Sequence, residues 1–182
     1  MKFSAELLLA DCKSALSEVD AQSAIHDIVQ RAVSDSSQVK RNLGEPKRGG
    51  IDIIHRSGEL TILNVLWGPG MTMHPHNHNM WAVIGVYGGR EDNVFFRRDE
   101  EQGLVRHGTK VLEQKDTISL GESIIHQVTN PLETITAAIH IYPGDFFDTP
   151  RSEWYPPDYQ ERPYDVAHTL RVFEESNRKL AS

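Results

Sequence analysis

The middle of the chain, from Ile51 to about Phe147, consists of short β-branched and aromatic runs separated by Gly, Pro, Asn or Asp. These runs are Ile51–Ile54, Leu60–Trp67, Ala82–Tyr87, Asn93–Phe96, Val111–Glu113 and Thr134–Tyr142. Many short strands with regular turn signals are typical of an all-β sandwich or barrel. No long helical pattern interrupts them, which argues against a fold in which strands and helices alternate.

The two ends of the chain show a different pattern of apolar and polar residues. Between Phe3 and Val33 apolar residues recur at intervals of three and four, which predicts two amphipathic helices, with Asp20 capping the second. Residues 35–50 are polar and rich in Gly and Pro, which predicts a linker. The C-terminal segment begins Pro-rich and then predicts one helix over about 164–179.

Length and composition suit one globular domain, because 182 residues are enough to bury a proper core. We expect a helical extension (1–35), a β-barrel core (51–147) and a tail (148–182) within a single domain, 1–182. The formal net charge of −7 and the lack of a large Lys/Arg cluster predict no nucleic-acid partner. No apolar stretch approaches the ~20 residues of a membrane span. The lone Cys12 fits a reducing cytosol, so we expect a cytoplasmic protein.

Histidines alternate at positions 74, 76 and 78, and another follows at 126. Side chains at i and i+2 of a strand share one face, and neutral imidazole binds Fe, Zn, Cu or Ni. We interpret His76, His78 and His126 as metal ligands. His74 lies on the same predicted face and competes with His78, although Pro75 suggests that the strand ends near His74. The alternative is that these histidines are packed or exposed without a metal.

Two motifs around these histidines resemble the motifs of the cupin superfamily. They are Gly70-x5-His76-x-His78 followed by Gly89, and Gly121-x4-His126-x3-Asn130. Ser119 replaces the usual Pro of the second motif, and Ala82 and Val83 occupy the positions of the usual first-motif Glu. A cupin without this Glu resembles the three-histidine, Fe(2+) kind, of which thiol dioxygenases are the main example. The resemblance implies a mainly β cupin double-stranded β-helix (jelly-roll barrel) with N-terminal helices and a C-terminal helical tail.

Three further segments are similar to cysteine dioxygenases and mercaptopropionate dioxygenases. They are Trp67–Gly70, Trp81–Val86 and His140–Asp145, and the resemblance covers about 51–145. It implies a mononuclear non-haem Fe(2+) dioxygenase that uses O2 to oxidise a small thiol to its sulfinate. Whether the chain forms a homo-oligomer stays open, because its terminal segments could pack on the barrel or on a partner.

In that family a Ser-x-His-x-Tyr run forms a hydrogen-bonded relay whose Tyr hydroxyl reaches the substrate. Here the run is Ala138-x-His140-x-Tyr142. The resemblance implies that Tyr142 and His140 are catalytic, with His140 orienting the Tyr142 hydroxyl and passing a proton. Ala138 removes the outer hydroxyl of the relay. Without the resemblance, Tyr142 would close the barrel end and His140 would be a core imidazole.

The substrate is not readable from the sequence. Ile51 occupies the approximate position of the family's carboxylate-binding Arg, and Arg56, His55 and Arg90 are replacements among which the sequence does not choose. Three functions therefore stay open. The first is the thiol dioxygenase. The second is a cupin oxygenase of a diketone or aromatic ketone, which the departures at positions 51 and 138 favour. The third is a non-catalytic cupin that binds a metal or small ligand.

Overall fold

The computed structural model describes residues 3–101 and 103–180; residues 1–2, 102 and 181–182 of the predicted domain lie outside the described part. The helices are α1 (Ala5–Ala15), α2 (Ala21–Ser34), α3 (Ser36–Leu43) and α4 (Val166–Arg178). The strands are β1 (Gly50–Arg56), β2 (Leu60–Trp67), β3 (His76–Asn77), β4 (Ala82–Gly88), β5 (Arg90–Asp99), β6 (Gly103–Glu113), β7 (Thr117–Leu120), β8 (Ile125–Thr129), β9 (Thr136–Pro143), β10 (Ser152–Tyr155) and β11 (Gln160–Pro163). None of these helices is long and apolar enough to cross a membrane.

The strands form two antiparallel sheets. The first has the order β1-β2-β9-β4-β7 and the second has the order β11-β10-β3-β8-β5-β6. The chain passes from one sheet to the other between β2 and β3, β3 and β4, β4 and β5, β6 and β7, β7 and β8, β8 and β9, and β9 and β10. Repeated crossing of this kind makes a jelly-roll barrel, so the predicted mainly β double-stranded β-helix with helices at both ends is confirmed.

The three central strands of the first sheet, β2, β9 and β4, are buried on both faces. In β2, Leu63 and Val65 face the barrel interior, whereas Leu60 and Ile62 pack against the N-terminal helices. Successive side chains of a strand point to opposite faces, so a strand covered on both sides needs apolar residues throughout. This double burial explains why the sequence shows unbroken apolar runs here. The outer layer comes from α1 and α2, whose buried side chains include Cys12 and Val29.

The prediction of a linker over residues 35–50 is wrong for its first half, which forms α3. Asp35 caps this helix by accepting a hydrogen bond from the Gln38 amide, and Gly44 follows its end with φ +93°. Val39 is the one hydrophobic residue that α3 buries. A helix of eight residues with one buried apolar side chain is too short for a repeating apolar pattern to be recognised in the sequence, and its caps and its packing on α2 support it. The predicted cap at Asp20 is confirmed.

The tail adds strands as well as the predicted helix. β10 and β11 form a hairpin that extends the second sheet beside β3. The helix predicted over about 164–179 is α4, and its Phe173 ring stacks on Trp67 with centroids 5.8 Å apart. Because Trp67 belongs to the barrel interior, this contact packs the tail helix against the barrel.

Gly89, which belongs to the first cupin-like motif, joins β4 to β5 with φ +78°. A Cβ at this position would lie 2.3 Å from Thr136 Oγ1, and the Thr136 hydroxyl already bonds the Arg90 amide at 2.9 Å. The close approach therefore excludes any side chain at residue 89.

We expect Gly89→Ala to reduce the free energy of unfolding by about 3 kcal/mol, from left-handed strain and overpacking together. Gly103→Ala is the matched control, because Gly103 has φ +76° and nothing within 4 Å of its Cβ position. It should cost only the strain, about 1 kcal/mol. Chemical denaturation measures both values, and equal losses would contradict the steric argument.

Candidate metal centre

Three buried imidazoles meet inside the barrel. His76 on β3 lies directly opposite His126 on β8, and His78 follows the end of β3. One ring nitrogen from each of the three lies within 4.8 Å of the others. The ring centroids are 4.7 Å (His76–His126), 5.0 Å (His78–His126) and 5.3 Å (His76–His78) apart. The structure therefore brings together the three histidines that the sequence singled out.

Hydrogen bonds at the outer ring nitrogens orient two of these rings. His76 Nδ1 lies 2.9 Å from the His74 carbonyl oxygen, and His126 Nδ1 lies 2.9 Å from Asn93 Oδ1. Because both oxygens only accept, both Nδ1 atoms carry the proton and leave Nε2 with a free lone pair. His126 Nε2 and His78 Nε2 are 3.3 Å apart, so their inner nitrogens face each other. A cation between them would satisfy both.

Burial keeps the three rings in their ligand form. It lowers the pKa of His76 to about 4. Burial first, and then the neighbouring imidazoles, holds the pKa of His78 and of His126 well below the usual range. Neutral imidazole is the form that binds Fe, Zn, Cu and Ni. Within residues 3–101 and 103–180 no other group of three or more His, Cys, Asp or Glu is placed to share a metal.

His74 is not part of this group. Its ring lies 4.3 Å from that of Tyr155 and 5.1 Å from that of His168. The prediction that it shares a face with His76 and His78 is wrong because β3 begins only at His76, so strand alternation does not extend back across Pro75. His74 instead contributes its carbonyl oxygen to the orientation of His76.

Tyr142 and His140 stand beside the histidines. Both are buried on the inward face of β9, and the Tyr142 hydroxyl lies 3.0 Å from His140 Nδ1. The Tyr142 ring is 5.2 Å from the His78 ring. Burial raises the pKa of Tyr142, so the phenol is protonated at neutral pH. The arrangement offers a hydroxyl group to whatever occupies the space next to His78.

A cavity of about 210 Å³ leads from the three histidines to the surface. Its inner wall includes Trp67, His140 and Tyr142, and the tail contributes Arg151 and Tyr164. Most of its wall is apolar. Its exposed outer members are Ile51, Ile53, Phe147, Val166 and Leu170.

Arg151 is a site residue that the sequence did not indicate. Its guanidinium carbon lies 3.9 Å from the centre of the Phe146 ring and 4.2 Å from that of Tyr164. Its Nη1 is buried, and no described residue accepts a hydrogen bond from it. Burial lowers the pKa of Arg151, but a guanidinium stays protonated in proteins. A buried cation with a free donor that lines the cavity is suited to hold an anion.

The basic residues considered from the sequence lie elsewhere. Arg56 pairs with Asp145 at 2.9 Å and with Asp148 at 2.8 Å. Arg90 pairs with Asp92 at 2.6 Å. None of Arg56, Arg90 and His55 lines the cavity, whereas Ile51 stands at its outer edge. Arg151 was not identified from the sequence because it lies in the tail, and only folding brings the tail to the barrel.

The comparisons with known proteins concern the fold. No family model matches the chain, and no curated protein matches it. A protein of Methanocaldococcus jannaschii described as RmlC-like cupin with a double-stranded β-helix fold is 9% identical, with a TM-score of 0.46, over 57% of this chain and 86% of that protein. A Bacillus halodurans protein is 15% identical, with a TM-score of 0.48, over 70% and 83%.

A DMSP lyase of Ruegeria pomeroyi is 17% identical, with a TM-score of 0.46, over 60% of this chain. The chain spans about half of that enzyme, 53% of its length. At such identities the likeness extends to no site residue or reaction. The strand order of this chain is what defines its fold.

We expect His126→Ala and His78→Ala each to lose bound iron, because two imidazoles are too few donors to retain it. His74→Ala is the matched control, and it should keep the wild-type metal content. Elemental analysis after anaerobic loading with Fe(2+) measures the metal-to-protein ratio. If His78→Ala retains iron and His74→Ala loses it, residue 74 and not residue 78 is the third ligand.

Proposed function

We propose that the protein is a mononuclear non-haem Fe(2+) dioxygenase that oxidises a small thiol carrying a carboxylate group to its sulfinate with O2. The observation that carries this proposal is the composition of the site. Three neutral, buried imidazoles lie beside a Tyr–His hydrogen bond and a buried guanidinium whose Nη1 has no acceptor among the described residues. No carboxylate belongs to the predicted ligand set.

The charge of this ligand set favours an anionic substrate. Three neutral ligands leave the full positive charge of a divalent cation uncompensated in a buried site. Iron, when bound, would lower the pKa of a thiol and supply the redox chemistry that joins sulfur to oxygen. The reaction RSH + O2 → RSO2⁻ + H⁺ balances without another reductant, since the sulfur loses four electrons and the two oxygen atoms gain them.

The chain's own residues would bind and orient this substrate. Arg151 holds the carboxylate with its free Nη1 donor, while Phe146 and Tyr164 fix the guanidinium plane between them. The apolar cavity wall excludes water, which strengthens this ion pair. Tyr142 presents its hydroxyl to the thiol end of the substrate, and His140 holds that hydroxyl from behind.

The proposed reaction is tested with iron-loaded protein, cysteine, cysteamine and 3-mercaptopropionate, by oxygen uptake and product analysis in ¹⁸O2. We expect uptake with a carboxylate-bearing thiol and a sulfinate that contains two ¹⁸O atoms. Uptake only with diketones or aromatic ketones would indicate the non-thiol oxygenase instead. No uptake with any compound would indicate a non-catalytic metal or ligand carrier.

Arg151→Gln should raise the KM for a carboxylate-bearing thiol by about tenfold to a hundredfold, the size of one lost charge-assisted hydrogen bond. The KM for cysteamine, which has no carboxylate, should change little. The matched control is Arg56→Gln, which removes a guanidinium that is ion-paired outside the cavity. Equal effects on both kinds of thiol would remove Arg151 from carboxylate binding.

A further inference from the structure

The carboxylate of Glu91 is buried in the barrel without a full set of partners. Its side chain is fully buried, on the inward face of β5. Oε1 accepts a hydrogen bond from Trp67 Nε1 at 2.7 Å, whereas Oε2 has no partner among the described residues. An ionised carboxylate is costly to bury with a single neutral donor. A second donor close to Glu91 would relieve this cost.

That donor is available on His140. His140 Nε2 is also buried and unpartnered within the described part of the chain, and it lies 3.9 Å from Glu91 Oε1. The separation is about 1 Å longer than an N–H···O hydrogen bond. The free oxygen of Glu91 is Oε2, on the same carboxylate as Oε1. This carboxylate can accept a hydrogen bond, and His140 Nε2 can donate one when it carries the ring proton. Trp67 borders both, since its ring centroid lies 6.0 Å from that of His140.

Glu91 can supply a hydrogen-bond acceptor for His140 that residue 138 does not supply. Ala138 sits two residues before His140 on β9, where the resembling family has a relay serine, and its methyl group can accept no hydrogen bond. Glu91 reaches His140 from β5, in the other sheet. A carboxylate from across the barrel therefore lies 3.9 Å from the outer nitrogen of the Tyr142–His140 pair.

We propose that Glu91 is a positioning residue that fixes the tautomer of His140, and through it the hydrogen bond of Tyr142. The inference deepens the proposed function and rests on it for its catalytic consequence. A carboxylate facing Nε2 keeps the imidazole proton on Nε2. Nδ1 is then the acceptor, and it receives the hydrogen bond of the Tyr142 hydroxyl at 3.0 Å. The phenolic oxygen then presents its lone pairs, and not its proton, to the cavity.

The tautomer can be measured directly on the unaltered protein. We expect ¹⁵N NMR of the Zn(2+)-loaded protein, with labelled histidine, to show the His140 proton on Nε2 and none on Nδ1. A proton on Nδ1 would overturn the proposal. This measurement does not depend on turnover, so it can succeed even if the protein is not a dioxygenase, and it can fail even if the protein is one.

Glu91→Gln is nearly isosteric, and its amide oxygen can still accept from Trp67. We expect it to retain metal but to lower kcat by about tenfold to a hundredfold with little change in KM, the range for residues that orient a catalytic group. The NMR signals should show partial transfer of the His140 proton to Nδ1. A variant with wild-type kcat and an unchanged tautomer would contradict the role of Glu91.

A double-mutant cycle separates positioning from general destabilisation. If Glu91 acts through Tyr142, Glu91→Gln should cost little further activity in a Tyr142→Phe background. The matched background is Tyr87→Phe, because Tyr87 is also buried and hydrogen-bonded, to Asn64 at 2.7 Å, but faces the helices. In that background the full loss should persist. Equal losses in both backgrounds would show that Glu91 does not act through Tyr142.

Discussion

The site depends on the burial of three uncharged imidazoles whose inner nitrogens converge. Burial removes water as a partner, so an inward lone pair is satisfied only by a hydrogen-bond donor or a cation. His126 Nε2 and His78 Nε2 face each other at 3.3 Å, and the outer nitrogens of His76 and His126 are already engaged. The rings cannot all donate to one another. A shared metal ion is the simplest way to satisfy them together.

The two-sheet barrel makes this convergence rigid. The pairing of β3 with β8 sets His76 opposite His126, and β5 lies on the other side of β8. The inward residues of β5 serve the site in turn: Asn93 orients His126, Phe95 stacks on it with centroids 6.4 Å apart, and Glu91 faces His140. One strand thus supports both the predicted metal ligands and the Tyr142–His140 pair. Support from a strand is more exact than support from a loop.

The features that were predicted correctly are those that depend on residues close together in the sequence. The apolar runs of the first sheet are a consequence of strand geometry and were visible in the sequence. The spacing of His76 and His78 was visible too, although His78 lies just beyond the end of β3. The placement of His74 was wrong because β3 begins only at His76, whereas the alternating histidines begin two residues earlier. Helix α3 was missed because it buries so little. Glu91 could have been found, since it shares its alternation with Asn93 and Phe95 on one strand.

Arg151 could not have been found in this way, because nothing near it in the sequence marks it as different from other charged residues. Its place in the site depends on its contacts with Phe146 and Tyr164 and on the cavity, which only the folded tail brings together. The predicted metal ligands belong to the barrel, whereas the cation that would read the substrate belongs to the segment after it. The residue that would bind the substrate and the residues that would bind the metal therefore belong to separate segments and can be substituted independently.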